Sequence, residues 1–292
     1  MWAGIVTTPE ISQAEISQPE ISQKVVKLAH RASGLVEGRR IVAGEAPVAL
    51  SYNGSTQAVL MATPSDLQDL GVGFSLTEGI IRDDSEIERL EVVALAEGID
   101  VQMWLGDMPQ QRLDARRRFM AGPVGCGLCG IDSIDQAMRR LSPLPKKERR
   151  FRAADIAAAM LALTKVQSLN AETHAVHGAG FYVPEHGLIA AREDVGRHNA
   201  LDKLVGGLLR QKSEKDSDRP WTLDQGITVI TSRVSVELVQ KAVMLGVPVL
   251  AAISAPTALA IRTAEEANLT LVAVVRGDEF DIYTHSERIS AD

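Results

Sequence analysis

Gly226-Ile-Thr-Val-Ile-Thr231, Val247-Pro-Val-Leu-Ala-Ala-Ile253 and Leu269-Thr-Leu-Val-Ala-Val-Val275 are apolar runs of strand length, separated by helical patterns over Val236 to Leu245 and Thr257 to Ala267. A strand with one wet face alternates polar and apolar residues, whereas a run that is apolar throughout is covered on both faces. Such strands, alternating with helices, predict a largely parallel sheet between helical layers, a three-layer αβα unit. Upstream the pattern extends through a helix from about Ala153 to Ser168, strands over Ala175 to Val183 and Gly187 to Ala191, and a helix from about Arg197 to Arg210. Residues 151–292 are therefore expected to form one αβα domain.

The first half reads as a smaller α/β portion, residues 35–150. Pro47 to Tyr52 and Thr56 to Ala62 flank Asn53-Gly54, a strong hairpin signal. Thr63 suits a helix N-cap and Pro64 its first turn, with Leu67, Leu70, Val72, Phe74 and Leu76 on the helix that Gly79 stops. Glu86 to Leu95 and Ile99 to Leu105 read as strands, and the prolines and charges between Leu141 and Arg150 as an exposed connection. Glu10-Ile-Ser-Gln, Glu15-Ile-Ser-Gln and Glu20-Ile-Ser-Gln form a polar repeat with no helical or strand period. Residues 1–34 are accordingly expected to be a disordered tail, with order beginning near Leu35.

Of 292 residues, 45% are hydrophobic and 24% charged, a globular balance. No apolar run approaches the roughly 20 residues of a membrane span, and the first residues lack the basic and apolar regions of an export signal, so a cytoplasmic protein without a membrane partner is expected. The net charge of -7 argues against a nucleic-acid partner, which needs a basic face. Both cysteines lie in Gly125-Cys126-Gly127-Leu128-Cys129-Gly130. With no disulfide framework possible beyond that pair, catalysis or metal binding is the reading in a reducing compartment. The glycines leave sulfur unshielded, and the helical spacing over Ile131 to Arg140 places the thiols at a helix start. Together with Arg116, Arg117 and Arg118 upstream this favours thiolate, against the pull of Asp132.

Open α/β sheets bind ligands beyond the carboxyl ends of their strands, where Thr231-Ser232-Arg233 and Ser254-Ala255-Pro256-Thr257 precede helices. Hydroxyls, free amides and a guanidinium suit a phosphate there; the alternative is that Ser232 and Ser254 cap the helices. At Glu193 to Lys203, seven of eleven residues ionise or hydrogen-bond. Arg197 could pair with a carboxylate and His198 serve as acid, base or ligand, whereas Asp194, Asn199 and Asp202 could equally be a buried network fixing the junction. His174 and His177 could approach the thiols, but the spacing does not resemble a zinc finger and no metal site is expected.

Taken together, Glu45 to Leu50 with Asn53-Gly54, Thr63 to Phe74, Thr77 to Ile81, the C-G-L-C-G loop, Glu193 to Lys203, Ser232 to Lys241, Ser254 to Thr257 and Tyr283-Thr284-His285 resemble the FdhD family of formate dehydrogenase accessory sulfurtransferases. The resemblance spans about residues 35 to 289; it departs at Thr173-His174-Ala175, where the family has Thr-Gly-Gly. It implies a cytidine-deaminase-like αβα domain with a second α/β portion, and a homodimer. It implies that sulfane sulfur from a cysteine desulfurase forms a persulfide on Cys126, with Cys129 assisting or attacking it. The acceptor would be the molybdenum (or tungsten) bis-guanine-dinucleotide cofactor of the formate dehydrogenase catalytic subunit, bound as substrate, with no permanently bound cofactor. A guanine-nucleotide contact is implied for Val274, Val275, Arg276, Gly277, Asp278 and Glu279, Arg276 meeting phosphate and Asp278 or Glu279 the base. Rival readings are a C-x-x-C thiol oxidoreductase, though no early strand leads into the motif; a zinc deaminase, though no proline directly precedes the cysteines; and a non-catalytic cofactor chaperone.

Overall fold

The computed structural model describes residues 19–119, 141–146, 149–214 and 220–291. Its first element is a long antiparallel hairpin, β1 (Ser22–Arg31) and β2 (Gly34–Ala43). Order thus begins inside the expected tail rather than near Leu35. Most side chains of the hairpin are exposed, so the backbone ladder holds it together rather than a core. Arg40 ties it down by donating to the carbonyl of Thr173 at 2.9 Å.

The Asn53-Gly54 signal is met: both residues take left-handed φ, 47° and 80°, as a tight hairpin turn requires, and join β3 (Ala46–Tyr52) to β4 (Ser55–Ala62). After α1 (Leu67–Thr77) come β5 (Ile87–Leu95), β6 (Gly98–Leu105) and α2 (Asp107–Phe119), and the small sheet has the order β4-β3-β6-β5. Thr63 does not cap α1. Asp66 occupies that position with a left-handed φ of 50°, and the buried Thr63 hydroxyl accepts instead from the Val195 amide at 3.1 Å.

The second half runs β7 (Phe151–Arg152), α3 (Ala153–Val166), α4 (Ser168–Thr173), β8 (His177–Val183), β9 (Gly187–Asp194) and α5 (Arg197–Glu214). It continues with β10 (Ile227–Ile230), α6 (Val236–Leu245), β11 (Val249–Ala252), α7 (Ala258–Glu266), β12 (Thr270–Arg276), β13 (Glu279–Ile282) and β14 (Ile289–Ser290). The six-stranded sheet has the order β13-β12-β11-β10-β8-β9. Only β10, β11 and β12 are mutually parallel; β8, β9 and β13 are antiparallel to their neighbours. The expected largely parallel sheet is thus confined to its centre, because β8 and β9, like β12 and β13, are joined by turns far too short for a parallel crossover.

The apolar runs are covered on both faces, as their composition requires. Leu250, Ala252, Leu271 and Ala273 pack with residues of α5, α6 and α7, whereas Val249, Ala251 and Val272 pack with Ile156, Ala159 and Leu163 of α3. The first of these cores continues through α1 into Val48, Leu50 and Val101 of the small sheet, so the two sheets share it. The segment read as an exposed connection is docked at one point: buried Leu144 donates its amide to Ala267 O at 2.9 Å, and its carbonyl accepts from Asn268 Nδ2 at 2.8 Å. Among the described residues no helix is long and apolar enough to cross a membrane.

The sheets are joined by α1 crossing α5 at backbone distance. A Cβ on Gly73 would lie 1.8 Å from the carbonyl oxygen of Asp202, and one on Gly206 would lie 1.9 Å from that of Asp69. Both opposing atoms belong to the backbone of the facing helix, so neither can swing aside. Gly206→Ala is expected to cost about 3 kcal/mol, the upper end of overpacking, read as a lowered urea midpoint. Gly38→Ala, in the exposed hairpin, should stay within about 0.5 kcal/mol of the parent.

Candidate functional site

At the carboxyl edge of the parallel strands the two expected turns interlock. The loop after β10 and the loop after β11 meet through Val234 N to Ala255 O at 3.2 Å and Thr257 N to Val234 O at 3.0 Å. The antiparallel β8 starts where β10 ends, and Gly178 N donates to Thr231 Oγ1 at 2.8 Å, which brings the adjacent His177 to the same edge. Arg276 at the end of β12 reaches back across β11, donating to Ile253 O, and also donates to Val275 O at 2.8 Å. His177, Ser232, Arg233, Ser254 and Arg276 therefore share one edge, although they span a hundred residues of sequence.

The capping expectation is redistributed. Thr257 caps α7 by accepting from Ala260 N at 3.2 Å, so this member of the predicted binding set has a structural bond. Ser232 is buried and donates to Arg233 O at 3.1 Å, and Ser254 is half-buried before the cap. Both serines stay off the cap positions. Val274 takes φ 56°, a left-handed conformation that a β-branched side chain resists. The pairing of β12 with β13 shifts register there, between Ala273 and Arg276. Gly277 and Asp278 form the exposed turn into Glu279, and Val275 is buried in the core.

The start of α5 supplies the remaining charged groups. Asp194 is fully buried against Lys203 Nζ at 2.6 Å and accepts from Thr63 N at 3.0 Å, Gly196 N at 2.7 Å and Asn199 Nδ2 at 3.0 Å. The junction reading of Asp194 and Asn199 is the observed one, and the network fixes the direction in which the next turn leaves. That turn carries Arg197, whose Nε is buried with no hydrogen-bond partner among the described residues, and His198, whose Nε2 lies 3.4 Å from Ser235 Oγ and 4.0 Å from Glu237 Oε2. Burial, with Arg197 and Lys241 nearby, pushes His198 down to about 4, against the opposing pull of Glu237 and Glu78. Burial and Arg197 also lower His177. Both imidazoles are neutral at pH 7, available as hydrogen-bonding groups beside the guanidinium.

Lys241 is the group sequence reasoning did not single out. Its Nζ lies 2.9 Å from each oxygen of Asp202, 3.0 Å from Thr77 Oγ1 and 3.3 Å from Glu78 Oε1, and 5.7 Å from the Phe74 ring centroid. It joins three elements beneath the candidate edge. No local pattern marks a buried lysine whose partners lie 39 and 164 residues away. Cys126 and Cys129, and the helix expected after them, lie outside the described residues.

Residues 43–290 match the FdhD/NarQ family. The chain belongs to that family. It is 63% identical over 262 residues to the sulfur carrier protein FdhD of Brucella abortus, covering 90% of this chain and 94% of that protein. The sulfur carrier protein FdhD of Agrobacterium fabrum is 55% identical over 266 residues, covering 91% and 95%. The crystal structure of a candidate formate dehydrogenase accessory protein from Desulfotalea psychrophila shares the mixed α/β fold, with a TM-score of 0.71 at 24% identity, covering 93% of this chain and all of that one.

The depressed imidazole sets a pH signature. The unfolded His198 titrates near 6.5 and the folded one near 4, so between these values the unfolded chain binds more protons and stability is lost as pH falls. The imidazole resonance of His198 is expected to titrate near 4 by NMR, and His198→Gln should flatten the fall of the urea midpoint across that interval.

Proposed function

We propose that this FdhD/NarQ protein is a sulfur carrier in formate dehydrogenase maturation, a sulfurtransferase working in the cytoplasm as a homodimer. Cys126 takes sulfane sulfur from a cysteine desulfurase and passes it to the molybdenum (or tungsten) bis-guanine-dinucleotide cofactor bound for the formate dehydrogenase catalytic subunit. The cofactor is substrate here, not a resident group. The names of the relatives support the sulfur-carrier role. The observation that supports the substrate is the meeting of Arg276, Arg233, Ser232, Ser254 and His177 at one sheet edge, the arrangement of donors a phosphorylated nucleotide needs. We include in the proposal the cytidine-deaminase-like relation of the αβα unit, with β8 reversed beside three parallel strands.

In the loading step the Cys126 thiolate attacks the outer sulfur of the desulfurase persulfide. A new S–S bond forms on Cys126, the donor's S–S bond breaks, and the donor cysteine leaves as thiolate, with no net oxidation. Delivery reverses the logic: the outer sulfur moves to the acceptor and Cys126 departs as thiolate. Alternatively Cys129 attacks the inner sulfur, expelling hydrosulfide and leaving a Cys126–Cys129 disulfide that an external thiol reduces. Arg276 and Arg233 hold phosphate, and the neutral His177 and His198 contribute hydrogen bonds without adding charge.

Intact mass after incubation with a desulfurase and cysteine is expected to rise by one sulfur atom in the parent and in Cys129→Ala, and not in Cys126→Ala. An adduct kept by Cys126→Ala and lost by Cys129→Ala reverses the two roles, and no adduct on any form leaves the cofactor chaperone. In parallel, Arg276→Gln should weaken GDP binding by about tenfold, the effect of one charged hydrogen bond.

A further inference from the structure

We infer that the opposite, amino edge of the six-stranded sheet holds a second anion site, built for a small molecule bearing a di- or triphosphate. A cavity of 560 Å³ opens there, lined by Lys146, Arg149, Arg150, Asn268, His285 and Arg288. The protein as a whole carries a net charge of -7, yet among the described residues four permanent cations line this cavity against a single carboxylate, Glu287. That carboxylate is already committed: Glu287 Oε1 lies 3.3 Å from His285 Nδ1, while His285 Nε2 is 3.0 Å from Glu265 O. Among the described residues, none of the four cations has an ion pair with a carboxylate.

Two of the guanidiniums show what is missing. Arg288 is only 6% exposed, and among the described residues its hydrogen bond is from Nη1 to Thr270 Oγ1 at 3.0 Å. Burial of the Arg288 guanidinium costs solvation that the neighbouring Glu287 offsets through its charge without forming an ion pair, and a ligand anion relieves the cost further. Arg149 lies over the Phe151 ring, 5.6 Å from its centroid, with its Nε buried and unpartnered. The attraction of the cation to the ring face favours this position of the guanidinium before any ligand arrives. The framework around them is fixed, since Asn268 is bonded to Leu144 and Thr270 opens β12.

The chemistry selects the ligand class. Planar guanidinium forks match the oxygens of phosphate in pairs, and a surplus of three positive charges among the described lining residues calls for a polyanion. The cavity falls within the roughly 300–1,000 Å³ of small-molecule sites, and one orthophosphate would leave most of it empty. The site is independent of the sulfur-carrier reading: Asn268 and Thr270 stand at the start of β12, whereas Arg276 closes its far end.

Calorimetric titration of the full chain with inorganic pyrophosphate and with ADP, at low salt, tests the inference. Saturable binding is expected for both, and the component weakened at least about tenfold in Arg149→Gln/Arg150→Gln is expected to persist in Arg276→Gln, whose own loss is confined to the carboxyl edge. Arg150 is exposed and Arg149 half-buried, so the urea midpoint of the double variant is measured alongside to show that the fold is kept; Arg288→Lys, which keeps the charge and removes the fork, should give a smaller weakening. Absence of saturable binding, or binding unaffected by the double substitution, overturns the site. Pyrophosphate binding lost in Arg276→Gln but kept in the double variant moves it to the carboxyl edge, which overturns this inference and leaves the proposed function standing. Equal binding of citrate overturns the phosphate assignment.

Discussion

The crossing of α1 on α5 is the contact on which the rest of the molecule depends. Glycine at positions 73 and 206 brings the two helices together until backbone meets backbone. At that separation short polar bridges form on either side of the crossing. Asp69 of α1 is held by Arg192 and Arg210, each at 2.6 Å, and Thr77 donates to Asp202 of α5 at 2.7 Å. Ion pairs to a buried carboxylate such as Asp69 are weak sources of net stability, since desolvation offsets the attraction, but removing the arginines leaves a buried charge uncompensated. They therefore act as a register for two helices whose apolar contacts alone would tolerate sliding.

That register carries directly to the candidate edge. Thr63, before α1, and Asp194, before α5, share hydrogen bonds with each other and with Lys203, so the small sheet fixes the point at which α5 begins. Arg197 and His198 occupy its first turn, and their placement beside the loop after β10 is inherited from contacts made by the first half of the chain. A second constraint comes from Val274. Its left-handed φ costs free energy that the β12–β13 pairing must sustain, and the outcome is a bulge from which Arg276 turns back over the end of β11. Strain retained next to a proposed ligand contact is consistent with a backbone shaped for that contact rather than for stability.

The central strands, α6, and the Asn53-Gly54 hairpin were legible because their signals are local: continuous apolar runs, helical spacing and a dipeptide suited to positive φ. What escaped was decided elsewhere. The direction of β8 and β13 depends on which turns are too short to cross the sheet, not on strand composition. The hairpin of β1 and β2 buries few side chains, so hydrophobic periodicity could not reveal it, and the polar repeat just before it drew the boundary too late. Thr63 looks like a helix cap in every local respect, yet an amide 132 residues away takes its hydroxyl. At the candidate site, Ser232, Arg233 and Ser254 came from the rule that ligands lie beyond strand ends and Arg276 from the family resemblance, whereas Lys241 was invisible because its partners lie on other elements, α1 and α5.

β12 runs between the two positively charged edges. Its seven residues separate the cavity around Arg288 from Arg276 by roughly 20 Å at the usual rise per residue. The Debye length at physiological ionic strength is about 8 Å, so the charges at one end are largely screened from an anion at the other. The strand itself is buried over most of its length and hydrogen-bonded on both sides, which leaves little freedom to pass a displacement along it. Occupation of the two edges is thus expected to be energetically separate in a single chain. Both edges nevertheless present cations on a protein of net charge -7, so among the described residues an anionic ligand finds guanidinium groups gathered at either end of β12.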